Sequence, residues 1–168
     1  LDAYAFFKAV YRLTNRSEYL TAGDQVLEWI KKYAYSMKEK RMNRGKGDST
    51  IATDTFSWAV AAIGPGKLQA MRFDPDDIMR FAENHCAVSV LFVRPDGKKT
   101  RVKGFDFAKA QNVGRGGVVS AEWTAQVIVT YQVLSEYYRK TGNDKKADYY
   151  LHKSEFYLNE LQKLIITS

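Results

Sequence analysis

Carboxyl groups at the starts of apolar helical segments are the residues in this sequence best placed to do chemistry. Asp2, Asp54 and Glu122 each fall in the first turn of such a segment, and Asp106 stands among aromatics in Gly104-Phe105-Asp106-Phe107. A carboxylate in a first turn complements the helix dipole, worth about 0.3–1 kcal/mol, and the same group facing a cleft can serve as a general acid or base. For Asp106, desolvation among Phe105 and Phe107 would raise the pKa. Trp58, Phe56 and Trp123 lie close in sequence to these acids, where they either pack in a core or present flat faces to a ligand.

Other chemistries find little support. Cys86 is the single cysteine and excludes an internal disulfide; with only His85 and His152 beside it, no metal-ligating set forms, and no cofactor motif is present. Gly45-Lys46-Gly47 lacks the spacing of a phosphate-binding loop, Ser120 is not in a Gly-x-Ser-x-Gly elbow, and His-Glu-x-x-His does not occur. Gly114-Arg115-Gly116-Gly117 is either a flexible lead into a helix or an anion-binding nest, with Arg115 as a substrate-binding candidate.

The elements that must position these groups are helices. Residues 2–13 form the first, with Ala3, Phe6, Phe7, Val10 and Leu13 on its apolar side; Ser17 caps a second that runs to about Tyr35 and turns Leu20, Val26, Leu27, Ile30 and Ala34 inward. After a charged loop over 37–52, Thr53 caps a short apolar helix to Ile63, and Asp74-Pro75 starts a fourth whose Asp76, Asp77, Arg80 and Glu83 make a polar face. Residues 87–93 and 98–107 alternate as β-formers around Arg94-Pro95-Asp96-Gly97, which predicts an inserted β-hairpin near residues 87–107.

Ser120 caps a fifth helix that ends at Lys140-Thr141-Gly142 and is apolar on most sides through Trp123, Ala125, Val127, Ile128, Val129, Tyr131, Val133, Leu134 and Tyr138. The sixth, from Asp144 to about Ile165, carries a narrower stripe of Ala147, Leu151, Ser154, Leu158, Leu161 and Ile165. Apolar helices one, three and five thus alternate with amphipathic helices two, four and six, the pattern of two concentric layers. Tyr11-Arg12-Leu13-Thr14 echoes Tyr138-Arg139-Lys140-Thr141 faintly, which favours one hairpin design used more than once.

Length and composition fit a single domain of 168 residues, and no apolar run reaches the ~20 residues that span a bilayer. Localisation stays open. Leu1 falls directly into helical periodicity and the chain ends on Ile165-Ile166-Thr167-Ser168, so a fragment of a longer protein is expected. Residues 38–46 and 94–103 each hold five basic side chains against one acid, so the formal charge of +7 is local. Solvated loops or a grip on a polyanion both follow from that. A nucleic-acid role is disfavoured because no reading motif accompanies the charge.

Alternating inner and outer helices with long connections at one end resemble the α/α toroid of six-hairpin glycosidases, as do Leu13-Thr14 through Tyr19-Leu20 to Trp29-Ile30, Asp54-Thr55-Phe56-Ser57-Trp58, and Ser120-Ala121-Glu122-Trp123-Thr124-Ala125-Gln126. The likeness implies a mainly α fold, with three α/α hairpins forming part of a toroid. It also implies a carbohydrate-processing role, with carbohydrate or an anionic polysaccharide as partner and the site at the N-terminal ends of the inner helices. A glycoside hydrolase needs one carboxyl as acid and another as base or nucleophile, roughly 5–10 Å apart. Asp54 and Glu122 are the expected pair, Asp106 is the reserve, and Trp58, Trp123, Phe56 and Arg115 are the expected substrate contacts. The alternative is a tetratricopeptide-like scaffold for a protein partner, which the long loops and the β insertion disfavour.

Overall fold

In a computed structural model, which describes residues 1–48, 50–108 and 117–166, the chain is mainly helical, with seven α-helices and two small antiparallel sheets. Helices α1 (Asp2–Thr14) and α2 (Ser17–Tyr33) form the first hairpin, turned by Asn15 in the left-handed conformation at φ 54°. They meet where Gly23 faces the Tyr4 ring, which an added Cβ would touch at an ordinary 3.6 Å. Tyr4, Leu27 and Ile30 are therefore buried, whereas Ala3, Phe6 and Leu13 are exposed. This corrects the expected inward face of α1, which packs mainly against α2 and the turn after α3 and so covers only one side. Leu20 is exposed as well, and Ser17 is the first helical residue, with no side-chain cap bond made by Arg16 before it.

The charged stretch after α2 is not a structureless loop. Strands β1 (Tyr35–Ser36) and β2 (Arg41–Met42) pair around a turn in which Lys40 takes φ 54°, and Tyr35 stacks on Phe73 at 3.8 Å. Helix α3 (Thr53–Trp58) then widens into a π-helical turn, Ala59–Ile63, which Gly64 ends at φ 92°. Thr53 does not cap it; its hydroxyl donates to the Asp106 carbonyl at 2.6 Å, fastening the helix start to the end of the second hairpin. A short helix α4 (Pro65–Ala70) leads to α5 (Pro75–Cys86), where Asp74 accepts the Asp76 N–H as a true N-cap.

Strands β3 (Ala87–Val93) and β4 (Lys99–Phe105) pair from Ala87↔Phe105 to Val93↔Lys99, with Gly97 at φ 79° in the turn. Helix α6 (Ala121–Lys140) starts on Ser120, whose Oγ accepts the Trp123 N–H at 3.4 Å, and α7 (Asp144–Gln162) runs back along it from the Asn143 cap. The core unites Phe56, Val60 and Ile63 of α3 and its π turn with Leu27 and Ile30 of α2, Ile78, Met79 and Ala82 of α5, and Val127, Tyr131 and Leu134 of α6.

Two faces differ from the sequence pattern. Helix α6 is not wrapped all round, since Glu122, Ala125, Val129, Gln132 and Glu136 are exposed along one side. Helix α7 is rotated from the expected stripe: Ala147, Tyr150, Ser154 and Glu160 are buried while Leu151, Leu158 and Ile165 are exposed. The cause lies on α5, whose acids require partners. Asp76 is buried rather than on a solvent face, and accepts from Tyr138 and Tyr150 at 2.7 Å each and from Lys146 at 2.5 Å. Two turns on, Glu83 takes Tyr131 and Lys153. Glu83, Tyr131 and Lys153 each stand seven residues from Asp76, Tyr138 and Lys146, so two similar polar rungs, the first with Tyr150 in addition, link α5, α6 and α7.

Candidate functional site

Three helices meet side by side, α1 against the π turn after α3, and α3 against α6. The junction between α3 and α6 is polar and short: Thr130 Oγ1 lies 3.1 Å from the Ser57 carbonyl, and Ser57 Oγ lies 3.2 Å from Gln126 Oε1. Small hydroxyl residues at this seam let the backbones approach. Their consequence is that Trp58, next in sequence to Ser57, projects past the seam and is 40% exposed.

The indole of Trp58 lines two cavities at once. One, of about 250 Å³, is formed with Asp2, Trp29, Asn43, Arg44 and Asp54 among its walls. The other, of about 310 Å³ and largely apolar, is formed with Ala61, Glu122, Ala125, Gln126 and Val129. Asp2 holds the indole in place by accepting its Nε1–H at 2.5 Å. Asp54 Oδ1 accepts the Thr55 N–H at 2.7 Å and the Thr55 hydroxyl at 3.3 Å, both contacts of the first turn. Glu122 is exposed in the first turn of α6. The structure therefore puts Asp54 and Glu122 on neighbouring cavities that share Trp58 as a wall.

The remaining candidates are placed otherwise. Phe56 is 0% exposed and packs on Phe81 at 5.5 Å, so its ring reaches neither cavity. Trp123 packs against Phe107 at 5.4 Å and is not part of either wall. Asp106 is buried, with its two carboxylate oxygens accepting the N–H groups of Phe107 at 2.7 Å and Val118 at 3.0 Å. Those bonds tie the end of β4 to the approach to α6, a structural task. Arg115 lies outside the described residues.

Sequence reasoning passes over Trp29, Asn43 and Arg44, which come from α2 and the segment after β2 and close the smaller cavity around Asp54. Trp29 is 45% exposed and tilts over Tyr33 at 5.6 Å. An outward tryptophan on an otherwise charged helix face, between Glu28 and Lys31, is the signal that marks it in sequence. Asn43 is anchored by its backbone N–H to the Ala34 carbonyl at 2.7 Å, while its buried Oδ1 has no hydrogen-bond partner among the described residues. A third cavity, of about 490 Å³, lies over the two polar rungs and is walled by Asp76, Glu83, Tyr131, Tyr149, Lys146 and Lys153.

Among the described residues, no group of three or more histidine, cysteine or acidic side chains is placed to hold a metal ion, and no helix is long and apolar enough to cross a membrane. Comparison of the chain with protein family models, with curated proteins and with solved structures finds no match in any of the three.

Proposed function

We propose that the side-by-side helices α1, α3 and α6 are the inner helices of an arc of an α/α toroid, and that the surface carrying Trp58 binds carbohydrate. The observation that carries this reading is the shared indole: one half-exposed ring, fixed by Asp2, borders both a cavity with Asp54 and a cavity with Glu122. Sugar rings present apolar C–H faces with hydroxyls around their rim, and an indole flanked by carboxylates and amides matches that chemistry. Trp29 supplies a second aromatic wall, and the unpartnered Asn43 Oδ1 a further acceptor.

In this reading Asp54 and Glu122, one on each side of the Trp58 wall, are the carboxyl candidates, one for the acid and the other for the base or nucleophile. Asp106 is set aside because two backbone N–H groups already occupy its oxygens.

Titration of the chain with neutral and acidic hexasaccharides, followed by tryptophan fluorescence, tests the proposal. A saturable change is expected with at least one sugar, weakened about two- to tenfold in Trp58→Ala, the equivalent of the roughly 0.5–1.5 kcal/mol that an aromatic contact contributes. Affinity that is the same in Trp58→Ala as in the parent, or no saturable response to any sugar, overturns it.

A further inference from the structure

The β3–β4 hairpin shows a second surface, built from residues that line neither cavity beside Trp58. Alternation along the strands turns Val88, Val90 and Phe92 with Thr100 and Val102 inward, and leaves Ser89, Leu91, Val93, Lys99, Arg101 and Lys103 on the exposed face. The register sets Val93 opposite Lys99, Leu91 opposite Arg101 and Ser89 opposite Lys103. One strand thus offers a row of cations about 7 Å apart, and its neighbour, about 5 Å away, an apolar row in which Leu91 and Val93 are 55% and 53% exposed.

These cations are less committed than those of the other basic segment: Lys103 lies over the Phe156 ring at 5.8 Å, and none of the three is held by a carboxylate within ion-pair distance among the described residues. In that other segment Lys40 pairs with Asp77 at 3.0 Å, Arg41 is buried against Glu39 at 2.7 Å, and Lys46 sits over the Tyr33 ring at 4.8 Å. In the hairpin turn, Arg94 and Lys98 share Asp96. Among the described residues, Lys99, Arg101 and Lys103 form no ion pair; the nearest acid on α7, Glu160, takes the Lys103 backbone N–H at 2.8 Å and the Lys163 ammonium at 2.6 Å.

We propose that this face docks an extended acidic polysaccharide, its carboxylates on the row Lys99, Arg101, Lys103 and its pyranose C–H faces on Leu91 and Val93. Charge complementarity calls for an anionic partner, and the linear spacing calls for an extended one. The strand residues of the exposed face carry no aromatic side chain, and Phe156 of α7 beneath Lys103 offers one ring where successive bases would each need their own, which argues against a single nucleic-acid strand. The turn that would enter a lipid surface first carries Asp96 and no large apolar side chain, which argues against a membrane.

Binding of the full chain to immobilised polygalacturonate over a range of salt concentrations tests the assignment. The parent is expected to bind, with affinity that falls as salt rises, and K99Q/R101Q/K103Q is expected to lose roughly tenfold or more with a flatter salt dependence. Replacing Lys31, Lys38 and Lys46, which line neither cavity beside Trp58, by Gln is expected to leave the affinity within about twofold, because a non-specific loss of charge would affect both triple variants alike. The three hairpin side chains are exposed, so an unchanged melting curve in K99Q/R101Q/K103Q separates loss of binding from loss of fold. Equal binding by that variant overturns the proposal, as does tighter binding of the parent to phosphatidylserine vesicles or to duplex DNA than to polygalacturonate. Because the hairpin residues line neither cavity beside Trp58, K99Q/R101Q/K103Q should keep the parent's response to neutral hexasaccharides, which keeps a failure here distinct from a failure of the cleft.

Discussion

The Trp58 indole donates its N–H to Asp2 Oδ1 at 2.5 Å, joining the first turn of α1 to the last residue of α3. This single bond fixes the ring angle at the wall between the two cavities. It also gives Asp2 a task beyond complementing the dipole of its own helix. Trp58→Phe keeps a flat apolar ring but removes the donor, so it should lower unfolding stability by about 1 kcal/mol, read from denaturant melts. Sugar affinity should fall less than in Trp58→Ala, because the face is retained and only its orientation is freed. An identical loss in both variants would show that the N–H, rather than the face, matters to the ligand.

Glu122 is exposed in the first turn of α6 and helps to wall the apolar cavity. Glu122→Gln should cost at most about 1 kcal/mol of stability, the scale of a dipole interaction. In turnover of a glycoside, the same change should lower the rate by roughly 10²–10⁴-fold, since a general acid or base contributes that much. Full activity with a normal melt would exclude Glu122 and leave Asp54 to act with another group.

Gly104 in β4 marks where the hairpin meets α6. An added Cβ would lie 2.7 Å from Thr124 Oγ1 and 2.7 Å from Val119 Cγ1, and Thr124 Oγ1 is held by the Phe105 N–H at 2.9 Å and the Ser120 carbonyl at 2.7 Å. Neither neighbour can swing away without breaking the start of α6. Gly104→Ala should therefore destabilise by about 1–3 kcal/mol, the usual cost of overpacking. A melt within error of the parent would mean that the strand and helix separate more easily than their hydrogen bonds imply.

Helix boundaries were legible wherever capping chemistry is local. Asp74-Pro75, Ser120 and Gly142 mark the ends of α5 and α6 as expected, and the β-hairpin is announced by alternation around a proline–glycine turn. Helix faces were less legible, because apolar periodicity does not say which neighbour a helix meets. On α7 the leucines at 151 and 158 form the more obvious stripe, yet the buried side follows Tyr150 and Ser154, since desolvated carboxylates on α5 need hydroxyl and ammonium partners more than leucines need cover. Of the site, the first-turn acids and Trp58 could be read from sequence. Trp29, Asn43 and Arg44 could not be joined to Asp54, because that proximity is made only by the fold of the segment after α2.

Asp76 gathers a lysine and two tyrosines around one buried carboxylate, and its pH dependence follows from these surroundings. Burial raises its carboxyl pKa, but the Lys146 ammonium and the Tyr138 and Tyr150 hydroxyls outweigh burial and hold it below the ordinary 3.8. The Asp76 bond in turn raises Lys146 above the ordinary 10.5, against a smaller effect of desolvation. A carboxyl whose pKa is lower in the folded chain stabilises fully above its unfolded value and loses that contribution as pH falls through its folded value. An ammonium whose pKa is raised does so below its unfolded value and loses the contribution as pH rises through the folded one. The Asp76–Lys146 pair should thus support the fold evenly between about pH 5 and 9, fade in acid below the ordinary carboxylate range, and fade in alkali above the ordinary lysine range. Asp76→Asn removes the charge but leaves an acceptor for one phenol, so about 1–3 kcal/mol should be lost near neutral pH, with Lys146 half-exposed and able to turn to water. Urea melts of parent and variant at a series of pH values check this: the two stabilities should converge as pH drops toward 2, and a gap that stays constant with pH would show that Asp76 acts through packing and not through charge.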